Sequence, residues 1–138
     1  MDIEQIKKSR KILKNVADII ESEPKKYDQD NWCGTSCCIA GHIVFSQGAK
    51  RIKSQDFFVK FNNKERRVLS LAYKLLGIKN NVKIDKLFGP YPELYWEDKW
   101  ALQYSKAKNR KEKAAVAADY IRKHIIPTVF PLKAKVVK

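Results

Sequence analysis

All three cysteines of the chain and one of its two histidines, Cys33, Cys37, Cys38 and His42, fall within ten positions of the stretch NWCGTSCCIAGHIV, residues 31–44. Thiolates and imidazoles are the usual ligands of structural zinc, which needs four of them in tetrahedral array. Cys38 and His42 lie four apart, on one face of a helix, and Cys33 just before it could fold over as a third ligand. The fourth would come from His124 or Cys37, but Cys37 points about 100° away from Cys38 around a helix, and the spacing matches no common zinc pattern. A nucleophilic thiol is the second reading. Cys33 at the positive end of a helix would have its thiolate stabilised, with His42 or His124 as the base. About 13 Å of helical rise separates Cys33 from His42, so His124 is the better geometric partner. The cysteines also lack the two-residue spacing of a redox dithiol. Packing competes with all of these: Cys38, Ile39, Ala40 and Gly41 are small or apolar, Gly34 and Thr35 make a turn and an N-cap, and small side chains let helices approach closely. The spacing favours this last reading, a core-forming helix with its cap.

The elements that must position this stretch can be read from periodicity. Ile3, Ile6, Leu13, Val16 and Ile20 recur at helical steps, predicting a first helix from about Asp2 to Ser22 that Pro24 stops. The connector EPKKYDQDNW is bracketed by Tyr27 and Trp32, large side chains that fold it back onto the core. Thr35 then caps a helix SCCIAGHIVFSQG, closed by Gly48. RIKSQDFFVKF is read as helix or loop, with a short strand as the alternative. Asn62 or Asn63 caps the helix KERRVLSLAYKLLG. IDKLFGPYPELYW is a short helical turn followed by a Pro-rich aromatic loop, either packed on the core or exposed for recognition. EDKWALQYSKAK resumes helical spacing, and RKEKAAVAADYIRKHII is the last helix before Pro127. The expected fold is mainly all-α: one compact domain, residues 1–127, a bundle of about five helices, followed by a basic arm over 128–138.

The CGTSCCIAGH stretch, with IESEP before it and AYKLLGI and KLFGPYPELYW after it, resembles a family of small bacterial and phage proteins of uncharacterised function that share a Cys-Gly-Thr-x-x-Cys-Ile-Ala-Gly core. Cys33, Gly34, Thr35, Cys38, Ile39, Ala40 and Gly41 match that core. Cys37 stands where the family has a small residue such as alanine, and His42 where it often has tryptophan. The resemblance covers most of residues 10–126 and implies a single α-helical domain, with no activity to carry over.

A chain of 138 residues can bury a real core without disulfides, and 32% charged residues with no long apolar run argue against a membrane span. The charged first residues do not form a signal peptide, so a cytoplasmic, reducing compartment is expected, with free thiols. The net charge of +14 is uneven, with an excess of 0 over residues 1–30, +5 over 31–98 and +9 over 99–138. Such a field draws polyanions. Lys99, Lys106, Lys108, Arg110, Lys111, Lys113, Arg122 and Lys123 are the candidate nucleic-acid-binding residues, and Tyr91, Tyr95 and Trp96 could stack bases if exposed. No helix-turn-helix or zinc-finger pattern supports sequence reading. The sequence therefore points to a small basic binding protein that engages the nucleic-acid backbone. A module for an acidic protein partner and a cysteine enzyme using Cys33 remain as alternatives. Nothing in the sequence calls for a cofactor.

Overall fold

The computed structural model describes residues 1–29, 38–53 and 55–132. Helix α1 (Ile3–Ser22) opens on Asp2, whose carboxylate accepts the Gln5 N–H at 2.8 Å, and buries Ile12, Leu13, Val16, Ala17 and Ile20. A 3-10 turn over Pro24–Lys26 follows, where proline ends the α-helical ladder. Helix α2 (Ile39–Ser46) has Cys38 as its N-cap, with extended backbone at φ −71° and ψ 177°. It therefore starts three residues later than the sequence suggests, and Thr35 lies outside the described residues. Gly48, at φ +102°, closes it with the paired bonds Ala49 N–H to Val44 C=O and Gly48 N–H to Phe45 C=O.

The expectation of helix or loop over residues 51–61 is overturned. Strands β1 (Lys50–Ile52), β2 (Gln55–Phe61) and β3 (Lys64–Arg67) form an antiparallel sheet in the order β1-β2-β3. Asn62 and Asn63 do not cap a helix. With φ of 51° and 65°, they make the two-residue hairpin loop between Phe61 and Lys64, a conformation that asparagine tolerates better than most residues. KERR is consequently strand, and helix α3 (Val68–Leu76) begins only at Val68.

Helices α4 (Val82–Phe88, capped by Asn81), α5 (Pro92–Tyr95) and α6 (Asp98–Lys106) lead to α7 (Arg110–Tyr120), capped by Asn109. The last helix does not end before Pro127. A π-helical turn over Ile121–Ile125, in which the Ile126 N–H donates to the Ile121 C=O, resets the ladder just ahead of the proline, and α8 (Ile126–Val129) continues. The fold also continues past the expected boundary at 127: Thr128 and Val129 are helical and Phe130 is fully buried, while residues 133–138 of the expected arm lie outside the described residues.

The architecture is mainly helical and forms one domain around a continuous core. α1 runs antiparallel to the α7–α8 helix, as three tethers along its length show. The Arg10 guanidinium donates to the Phe130 C=O, Arg122 pairs with Asp18 and Glu21, and Arg110 donates to the Lys25 C=O. α2 packs against α1 and α3, and the sheet sits against α3, with Val59 as its buried residue. Among the described residues, no helix is long and apolar enough to cross a membrane.

Candidate nucleic-acid interface

The cysteine–histidine stretch divides. Cys33, Gly34, Thr35 and Cys37 lie outside the described residues, while Cys38, Ile39, Ala40 and Gly41 are buried, as close helix packing requires. The His42 Nε2 lies 2.8 Å from the Lys26 carbonyl, which can only accept, so Nε2 carries the proton. Burial holds this imidazole below its ordinary pKa. His124 sits elsewhere, stacked on Tyr120 at 5.3 Å between ring centroids and beside Trp100, with Nε2 3.8 Å from a Glu97 carboxylate oxygen. Burial lowers its pKa as well, against the pull of Glu97. Among the described residues, no group of three or more His, Cys, Asp or Glu side chains could hold a metal ion.

The eight candidate cations of the C-terminal third do not form one free face. Arg122 donates to Asp18 and Glu21 at 2.7 Å each, and these carboxylates raise its already high pKa. Lys123 pairs with Asp119 at 3.1 Å, and Arg110 lies 3.5 Å from the Asp28 carboxylate. For Asp119, burial acts upward, but hydrogen bonds from Trp100 and Lys123 and the charges of Lys123 and Lys99 hold its pKa below the ordinary value. Lys99 lies over the Trp100 ring and Lys113 over that of Tyr104. Lys106, Lys108 and Lys111 remain exposed around the α6–α7 corner. Periodicity could not show this division, because the carboxylates that hold Arg122 come from α1, more than a hundred residues earlier.

A second cationic cluster went unread. Lys7, Lys11 and Lys14 follow one another along the outer face of α1, with Lys8 at its edge, opposite the buried stripe of the helix. All four are exposed, and none forms an ion pair among the described residues. They line two neighbouring clefts that share Lys11 and Lys14. The larger, about 650 Å³, continues past Asn15 to Gln47, and the smaller, about 270 Å³, reaches Arg10 and Leu132. The balanced charge of residues 1–30 hid the cluster, since acids at Asp2, Glu4, Asp18, Glu21 and Glu23 flank it on both sides. A helical wheel alone would not separate them, because Glu4, Asp18 and Glu21 fall on the lysines' face of α1; the cluster is set apart by its place along the helix, between Glu4 and Asp18.

This basic half of α1 is held in place by buried polar contacts. Ser9 Oγ donates to the Leu76 C=O at 2.8 Å, and the Gln5 amide donates to the Leu75 C=O, so α1 caps the free carbonyls at the end of α3. The aromatic loop is split: Trp96 is buried, its indole donating to the Lys86 C=O, while Tyr91 and Tyr95 are exposed. Tyr91 takes a left-handed backbone, φ +63°.

No protein-family model matches the chain, and neither a curated protein nor a solved structure matches it.

Proposed function

We propose that this protein binds nucleic acid through the phosphate backbone, without reading base sequence. The observation that carries the reading is the outer face of α1. Lys7, Lys8, Lys11 and Lys14 stand together without an ion pair among the described residues and border two adjoining clefts. Ammonium groups spaced along one helix face can each neutralise a phosphate and release its condensed counterion. The exposed Lys106, Lys108 and Lys111 form a second cationic pole, near the far end of α1. A ligand following both poles would span the length of that helix. The reading supposes a cytoplasmic protein and no cofactor.

The test is a fluorescence-anisotropy titration of a labelled 20-base-pair duplex across salt concentrations. The wild-type protein is compared with K7E/K11E/K14E and with K106E/K108E/K111E. At about 0.1 M salt, the α1 variant should bind at least tenfold more weakly, and the slope of log affinity against log salt should flatten by about two to three. Unchanged affinity and slope in both variants would refute the reading.

A further inference from the structure

We infer that the open face of the β-sheet is a stacking platform for single-stranded nucleic acid, with a base on the Phe58 ring and flanking phosphates on Lys50, Lys60 and Arg67. The inference rests on the backbone-binding reading above and narrows it to the strand form that this surface selects.

Register places these side chains together. Lys50 pairs directly with Lys60 across β1 and β2, and Phe58 pairs directly with Arg67 across β2 and β3. Directly paired residues share a face, as do residues two apart, so Lys50, Lys60, Phe58 and Arg67 point to one side. The opposite side carries Val59, which is buried against the core. Lys50, Lys60 and Arg67 are exposed and Phe58 is half-buried, so the face is open to solvent. The Arg67 guanidinium carbon stands 5.7 Å from the centre of the Phe58 ring.

Two like charges directly opposite each other destabilise a sheet, yet Lys50 faces Lys60. Glu65 lies opposite Lys60 on the other strand, and the two form no ion pair. A polyanion laid across the strands would relieve that repulsion. Residues 50–67 hold seven cations against two acids, so the approach is favourable. An aromatic ring amid cations is the recurring chemistry of single-strand binding, because an unpaired base offers a π-face and a duplex does not. Of the exposed rings, Phe57 lies on the Val59 side of the sheet, away from Lys50 and Lys60, and Tyr91 and Tyr95 stand in a segment with Glu93, Glu97 and Asp98, which repels phosphate.

The test uses the full chain with a labelled 15-nucleotide single strand and the matching duplex, both read by anisotropy. Phe58→Leu should weaken single-strand binding about tenfold and leave duplex affinity within about twofold, while Phe58→Tyr retains both. Lys50→Ala/Lys60→Ala, which leaves the half-buried ring alone, should also weaken single-strand binding. The platform is overturned if Phe58→Leu affects both ligands equally or neither, or if the wild-type protein binds duplex alone. Binding of neither form by the wild-type protein would instead sink the backbone-binding reading, and the platform with it.

Discussion

The side-chain amide of Gln29 donates at 2.8 Å to the carbonyl of Leu87, from a position only 5% exposed. The same nitrogen donates to the Gly89 C=O, and the Gln29 oxygen accepts from the Tyr27 hydroxyl. One buried amide thus ties the connector after α1 to the end of α4, just ahead of the strained Tyr91. Gln29→Leu removes the donor to two carbonyls and the acceptor of one Tyr27 hydroxyl bond at similar volume, and should cost about 2 kcal/mol in urea denaturation.

Gly77 closes α3 at φ +72°, where a Cβ would meet the Gln5 side chain, with Cγ at 2.4 Å. Gly77→Ala should therefore destabilise the protein by about 1–2 kcal/mol for the left-handed backbone, plus the cost of displacing Gln5. In a double-mutant cycle, Gln5→Ala should recover only the steric part. Equal losses in both backgrounds would show that Gln5 moves aside freely.

Burial depresses the pKa of His42 from its ordinary 6.5. The unfolded chain then binds the proton more readily than the folded one, so the neutral ring contributes stability above about pH 6.5, which is lost as pH falls toward the folded-state pKa. His124 is shifted in the same direction. The thermal midpoint should fall between pH 7.5 and 5.5, above the range where carboxylates titrate. His42→Gln, which can still donate to the Lys26 carbonyl, should reduce that fall and leave the His124 share.

Arg122 and Lys11 should behave differently toward salt although both are cations. Arg122 is engaged by Asp18 and Glu21, whereas Lys11 has no ion pair among the described residues and lines both α1 clefts. Lys11→Gln should lower the salt slope of duplex binding by about 0.9, the share of one phosphate contact. Arg122→Gln should leave it unchanged. A matching decrease in both would mean that the Arg122 ion pairs open on binding.

Local signals were legible where neighbouring residues determine the outcome. The apolar steps of α1, the glycine closures at Gly48 and Gly77, and the burial of Tyr27 all follow from residues within a few positions. The strands were misread because RIKSQDFFVKF and KERR carry mixed signals, and Asn62-Asn63 serves equally as a cap or a hairpin loop until strand partners are known. The π turn that carries the chain through Pro127 was likewise invisible to a rule that stops helices at proline.

By itself, the sequence determined a basic, mainly helical single domain, because composition and 3.6-residue periodicity act locally and sum along the chain. Only the tertiary structure decided which cations are free to meet a ligand. Pairing depends on which helix faces which: α1 lends Asp18 and Glu21 to Arg122 and keeps Lys7, Lys8, Lys11 and Lys14 on its outer face. Charge attraction falls with distance through space and not along the chain, so counting charges by segment could not separate an engaged arginine from an available lysine.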